Sequence, residues 1–166
     1  MKKELDELLC KKYPEIFVDR HANMQMTAMC WGFDIGDGWF NIINVLCESL
    51  YNDYRQAKKN FNYLQKIVVT SGQYEKLEDK KHFINPIMLE KARLKMNEVK
   101  SNIPVASQVK EKYGSLRFYV NGATDKQYAL IEMAESLSAV TCDVCGAPSH
   151  DQPQVGWIKT RCLEHS

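Results

Sequence analysis

Apolar side chains recur along this chain at two spacings, and the change of spacing separates helices from a hairpin. Lys2 to Lys12 carries Leu5, Leu8 and Leu9 on one side among charges, the pattern of a short amphipathic helix. Tyr13-Pro14 ends it, because proline disfavours helical geometry in the residue before it. Trp39, Ile42, Ile43, Leu46, Leu50 and Tyr54 then recur at helical spacing, with Asp37 placed as an N-cap. This predicts a central core helix reaching about Asn60. Phe61 to Val69 again reads as helix, and Ser71-Gly72 marks a break. Asn85-Pro86 is a helix start, with asparagine as cap and proline in the first turn. The helix it opens carries Ile87, Met88, Leu94 and Val99 and stops before Ile103-Pro104.

From Val105 the spacing shortens to two. Val105, Ser107, Val109 and Glu111 fall on one face, and Ala106, Gln108 and Lys110 on the other. Gly114-Ser115 can turn the chain, after which Leu116, Phe118 and Val120 alternate with Arg117 and Tyr119. The two runs predict a β-hairpin closed off by Asn121-Gly122. Thr124-Asp-Lys-Gln127 is a capping box, opening a helix to about Ala139 that is expected to bury Leu130, Met133, Ala134 and Leu137. The reading is an α+β fold: helices packed on a small antiparallel hairpin or sheet, with a C-terminal zinc-ribbon-like module. Residues 1–141 form the core domain, with a helical lysine-rich insert at about 61–100, and residues 142–166 form the metal module.

That module rests on two hooks. Cys142-Asp-Val-Cys145 is followed after sixteen residues by Cys162-Leu-Glu-His165. A two-residue gap lets both side chains of a hook point at one ion, and the long gap lets the chain return with the second pair. Gly146 after Cys145 suits the tight turn such a hook needs. The expected ligands of one structural zinc are therefore Cys142, Cys145, Cys162 and His165, with His150 a less regular rival for the fourth place. A site closed by four protein ligands keeps no open position for chemistry.

Composition narrows the class. With 166 residues, 45% apolar and 26% charged, the chain can bury a real core and is no disordered segment. No apolar stretch reaches membrane-spanning length, and the start Met1-Lys-Lys-Glu-Leu-Asp lacks the apolar run of a signal peptide. A cytoplasmic setting is expected, where thiols stay reduced. That favours metal over disulfide at the hooks and leaves Cys10, Cys30 and Cys47 as buried thiols. The net charge of +1 is uneven: residues 51–100 hold eleven Lys/Arg against six Asp/Glu, while residues 1–50 hold five against eight. From Cys142 onward two bases face three acids, which opposes a role of the module in gripping phosphate.

Several of these strings occur together in a known setting. Trp31-Gly-Phe, Gly36-Asp-Gly-Trp-Phe40, Gln108-Val-Lys-Glu-Lys-Tyr-Gly-Ser-Leu-Arg-Phe-Tyr119, Cys142-Asp-Val-Cys-Gly146 and Gly156-Trp-Ile-Lys-Thr-Arg-Cys-Leu-Glu-His165 resemble a family of small proteins carried by phages and prophages. The likeness covers roughly half of the chain, and residues 55–100 lie outside it. It implies a phage setting and a zinc site and names no reaction. Small phage proteins often counter host defences, some by binding host signalling nucleotides, so the setting brings such a ligand into view.

The hairpin is the strongest candidate surface. Lys110, Lys112 and Arg117 are interleaved with Tyr113, Phe118 and Tyr119. Cations meet phosphate and rings stack on bases, so Lys110, Lys112, Tyr113, Arg117 and Tyr119 form the expected contacts of a phosphate-bearing nucleotide. Asp34 and Asp37 lack the further oxygen ligands of a calcium loop, and helix capping accounts for Asp37. Trp31 and Trp39 flank that loop as packing groups. No phosphate loop and no nucleophile–histidine–acid pattern is present, and His21 alone lies near the aromatic block, which points away from an enzyme. The leading expectation is a non-enzymatic binding protein that captures a host signalling nucleotide. The alternatives are a zinc-ribbon nucleic-acid-binding or transcription-associated module and an adaptor for a host protein. An oligomer is left open.

Overall fold

The computed structural model describes residues 1–70, 86–152 and 158–166, with the backbone alone at 68–70, 86 and 150–152. Its elements in chain order are α1 (Lys3–Lys12), β1 (Phe33–Asp34), α2 (Phe40–Thr70), α3 (Pro86–Ser101), β2 (Val105–Lys112), β3 (Ser115–Asn121), α4 (Asp125–Ser138), β4 (His150–Gln152) and β5 (Lys159–Arg161). Short 3-10 turns at Val18–His21, Ala28–Trp31 and Asp37–Trp39 join the first of them. The fold is α+β, as the periodicities predict. The chain divides into two compact units, one of Met1–Leu50 with Ile103–Ser166 and one of Tyr51–Asn102.

In the first unit the hairpin β2–β3 is antiparallel, with Lys110 opposite Arg117 and Val109 opposite Phe118. The sheet gains a third strand that local pattern does not signal: β1 runs parallel to β2, with Phe33 beside Val109 and Asp34 beside Lys110. A two-residue strand has no periodicity of its own, so only the folded register exposes it. Alternation along β2 is interrupted by a bulge between Ala106 and Gln108. Ala106 and Val109 therefore share the buried side, where strict period two separates them. The bulge is satisfied from the N-terminal segment. The Ala106 N–H donates to the Ile16 carbonyl at 2.8 Å, and the Thr27 hydroxyl donates to the Ser107 carbonyl at 3.1 Å.

Phe17 stands at the centre of this core, edge-on to Phe33 at 5.0 Å and to Phe118 at 6.3 Å between ring centroids. Helix α1 contributes Leu9, the Asp37–Trp39 turn contributes Trp39, and α2 contributes Ile43, Leu46 and Cys47, all buried. Acids in the first turn of α1 and lysines in its last complement the helix dipole. Tyr13 ends the helix as expected, its N–H closing on the Leu9 carbonyl. Asp37 has a different partner from the one the spacing suggests. Its carboxylate accepts the Lys2 backbone N–H at 2.7 Å, so it ties α1 to the start of α2 instead of capping its own helix.

Helix α4 opens with the predicted capping box, in which Thr124 and Gln127 exchange hydrogen bonds, an arrangement typically worth about 1 kcal/mol. Its buried face is rotated from the expected one. Ile131, Ala134 and Ser138 face inward, while Met133 and Leu137 stay about half exposed. The cause is the edge of β3: the Leu116 N–H donates to Ser138 Oγ at 2.7 Å, and the Phe118 N–H donates to Glu135 Oε1 at 2.8 Å. Open strand edges need covering, and these two polar side chains turn the helix to do it.

The second unit holds the later turns of α2 and helix α3. Helix α2 continues without a break at Asn60 to Thr70. Tyr54, Leu64 and Ala92 are buried there, and Lys58 and Lys100 lie over the Tyr54 ring. Of the apolar residues α3 carries, Ile87, Met88 and Leu94 are exposed; Ala92 is buried. The Ser71-Gly72 break, the Asn85 cap and His82 lie outside the described residues. Among the described residues no helix is long and apolar enough to cross a membrane.

Candidate metal centre

Each hook is a tight turn closed by its own backbone. In the first, the Gly146 N–H donates to the Cys142 carbonyl at 2.9 Å, and Gly146 takes φ +79°. That is the left-handed conformation for which glycine is suited. In the second, the His165 N–H donates to the Cys162 carbonyl at 3.0 Å. Antiparallel pairing of β4 with β5, His150 opposite Arg161, brings the second hook back to the first.

The four ligand atoms converge. Those of Cys142, Cys145, Cys162 and His165 all lie within 4.8 Å of one another. Cys145 Sγ is 3.7 Å from Cys162 Sγ, and His165 Nδ1 is 3.7 Å from Cys142 Sγ and 3.2 Å from Cys162 Sγ. A tetrahedral ion with bonds of about 2.3 Å to sulfur and about 2.0 Å to nitrogen spaces its ligand atoms about 3.5–3.8 Å apart. The spacing fits, and the cluster could hold a metal ion. His165 supplies the fourth ligand through Nδ1; of His150 only the backbone, in β4, is described.

Electrostatics favours the thiolate at Cys142. Burial opposes ionisation of Cys142, but the backbone N–H groups of Cys162, Cys145 and Val144 lower its thiol to about 6. Two thiols outside the hooks are shifted the other way. Burial, reinforced by the Asp6 carboxylate, pushes Cys10 up to about 12, and burial raises Cys47 well above an ordinary thiol. All six cysteines are free. Of the three upstream ones only Cys47 is fully buried; Cys10 and Cys30 are half-buried, since α1 and the Ala28–Trp31 turn leave one side of each open.

The first hook is seated on residues that the spacing of ligands does not mark. The Gly38 N–H donates to the Asp143 carbonyl at 2.9 Å. A Cβ on Gly38 would lie 2.2 Å from the Cys142 carbonyl oxygen, and one on Gly36 would lie 1.8 Å from that of Asp143. Only glycine admits so close an approach of two backbones. The buried Trp39 adds its indole N–H to the Thr141 carbonyl at 2.7 Å. From the other side, the Asp143 N–H donates to the Thr160 carbonyl at 3.0 Å, and Arg161 pairs with the Asp143 carboxylate at 3.3 Å. The Gly36-Asp-Gly-Trp39 string was the visible signal of this seat, but it reads equally well as a helix start.

The hairpin residues form a second, open surface. Lys110 and Arg117 are cross-strand partners, and Lys112 is paired with Ser115. The Lys110 ammonium lies over the Tyr119 ring at 5.6 Å, and that of Lys112 over Tyr113 at 5.3 Å. Among the described residues neither lysine has a carboxylate within ion-pair distance. Arg117 is more engaged, donating to Ser115 Oγ and the Leu116 carbonyl and lying 3.8 Å from Glu135. Asp34 is exposed beside Lys110, and among the described residues no cluster of ligating groups forms around it. Trp31 is exposed and Trp39 wholly buried. Trp157 lies outside the described residues, while Ile158 is about half exposed and meets Gly114. No protein-family model, curated protein or solved structure matches the chain.

Proposed function

We propose that this is a non-enzymatic binding protein that completes its fold around one structural zinc ion and captures a phosphate-bearing nucleotide on the outer face of the β2–β3 hairpin. The observation that carries the ligand reading is the pairing of two ammonium groups with two tyrosine rings, neither lysine having a carboxylate within ion-pair distance among the described residues. Phosphate oxygens can take the ammonium hydrogens, and a base can lie against the rings. The resemblance to phage proteins makes host signalling nucleotides the first class to test. Zinc is the ion that three thiolates and one imidazole in a closed tetrahedron suit best. Six free thiols fit a reducing compartment such as the cytoplasm.

The alternative of a nucleic-acid-binding zinc ribbon is weaker, because the module's two cations are already engaged. Lys159 pairs with Glu111 at 2.6 Å and Arg161 with Asp143. A thermal-shift screen of purified protein against cyclic and linear nucleotides tests the reading, with mass spectrometry of small molecules released on denaturation. A raised melting temperature with one nucleotide class, or a released nucleotide, supports it. A flat screen with no released nucleotide overturns it. Salt-sensitive mobility shifts with generic DNA or RNA would favour the alternative, and a discrete co-purifying host protein would favour an adaptor.

A further inference from the structure

We infer that Thr160 is the positioning residue of the hairpin tip, setting the turn that presents Lys112 and Tyr113 to a ligand. The inference rests on the reading of the hairpin as the ligand surface. The tip is a two-residue turn in which Tyr113 has φ +53° and Gly114 φ +76°. Positive φ at both central residues matches the twist of a hairpin, but Asn or Gly usually occupies the first of them. A tyrosine there is held in a conformation that disfavours side chains with a Cβ, so the turn needs support from outside itself.

Strand β5 supplies it. The Thr160 hydroxyl, 1% exposed, donates to the Gly114 carbonyl. The Gly114 N–H donates to Glu111 Oε1 at 2.8 Å, and the other oxygen of that carboxylate takes the Lys159 ammonium at 2.6 Å. Ile158 closes the space under the turn: a Cβ on Gly114 would lie 2.8 Å from its Cγ2. Both polar groups of the buried glycine backbone are thus satisfied through β5. The strand is in turn fixed at its far end, because the Thr160 carbonyl receives the Asp143 N–H of the first hook and Cys162 of the second hook follows two residues on. Metal binding and the shape of the tip are connected through one side chain.

The test uses full-length, zinc-loaded protein with Thr160→Val, which keeps the shape and removes the hydroxyl, and Thr160→Ser, which restores it. Zinc content should stay at one per chain in both. Amide exchange at Gly114 and Ser115 should quicken about tenfold in the valine variant and stay within about twofold of wild type in the serine variant. Chelating zinc from wild type should loosen the same amides. Affinity for ATP, used as the probe, should fall about tenfold with valine and recover with serine. Unchanged exchange in Thr160→Val, or exchange in Thr160→Ser as fast as in Thr160→Val, would overturn the assignment. If wild type binds neither ATP nor any other nucleotide, the ligand reading fails by itself, and the exchange data still decide whether Thr160 holds the turn.

Discussion

The metal hooks and the hairpin face are built on opposite plans. At the hooks the groups are held from several sides: the two turns close on themselves, Asp143 is held by Gly38, Thr160 and Arg161, and four ligand atoms meet within 4.8 Å. On the hairpin face the half-buried Lys110 and the exposed Lys112 lie over tyrosine rings, and among the described residues neither has a carboxylate within ion-pair distance. A site whose work is to hold the fold must be complete when folded, because an unsatisfied buried group costs stability. A surface that meets a ligand must leave something unsatisfied. Substitutions should therefore act on stability at the first region and on affinity at the second.

The largest effect should come from breaking the metal set. Cys142 is wholly buried and is the ligand nearest the core. Cys142→Ser, or chelation of wild type, should lower the melting temperature by about 10–15 °C, because binding of a structural metal is folding free energy. Metal analysis should show one zinc per chain in wild type and none in the variant. A variant that melts like wild type would make the hooks an ornament and erase the contrast.

Next in size is the seat of the first hook. Gly38→Ala forces a methyl to 2.2 Å from the Cys142 carbonyl oxygen and 2.8 Å from the Cys145 nitrogen, so backbone must move. A loss of about 3 kcal/mol is expected, visible as a lower midpoint in urea with little change of slope. Gly122 provides the control. It has φ +77° but open space around it, so Gly122→Ala should cost only about 1 kcal/mol. Gly38 itself has an ordinary φ, so equal losses at the two positions would mean that the close approach to the hook costs no more than a strained backbone angle alone.

These two positions also mark where sequence stops being legible. The convergence of Cys142, Cys145, Cys162 and His165 could be read directly, because two-residue gaps are what a shared ion would require of each hook. The hairpin, the capping box at Thr124 and the stripe from Trp39 to Tyr54 are likewise local periodicities, and they stand as expected. What could not be read is contact between distant segments. The parallel strand at Phe33–Asp34, the bulge satisfied by Ile16 and Thr27, and the fit of Gly36 and Gly38 against Cys142 and Asp143 involve partners about 75 to 110 positions apart. The rotated face of α4 has the same origin. Met133 and Leu137 were the more hydrophobic choice, yet the unpaired N–H groups of Leu116 and Phe118 claimed Ser138 and Glu135.

A smaller effect is expected at Asp37. The Lys2 backbone N–H, aided by the Lys2 ammonium, holds this carboxyl below its ordinary range. A depressed folded value contributes stability above the unfolded value of about 3.9, lost as pH falls through the folded value. Asp37→Asn should therefore be less stable than wild type by at most about 1 kcal/mol at neutral pH. The gap should close as acid protonates the wild-type side chain. Thermal melts of the two proteins across an acid series measure it, and a gap that persists after protonation would assign the effect to shape and not to charge.

The smallest change in stability belongs to the lysines, and there the comparison is sharpest. Lys110→Ala with Lys112→Ala removes two ammonium groups, one on a half-buried and one on an exposed lysine, whose described contacts are tyrosine rings. Exposed cation–ring pairs are worth about 0.5–1 kcal/mol each at most, so the melting temperature should move by only a few degrees. Affinity for the nucleotide identified by the thermal screen should fall far more, about a hundredfold for the pair, because charge-assisted bonds to phosphate are the strong ones. Isothermal titration together with the melts separates the two quantities. A double variant that melts as low as Gly38→Ala would make the lysines part of the frame. One that keeps wild-type affinity would move the ligand off the hairpin, leaving the two tyrosines exposed for some other partner.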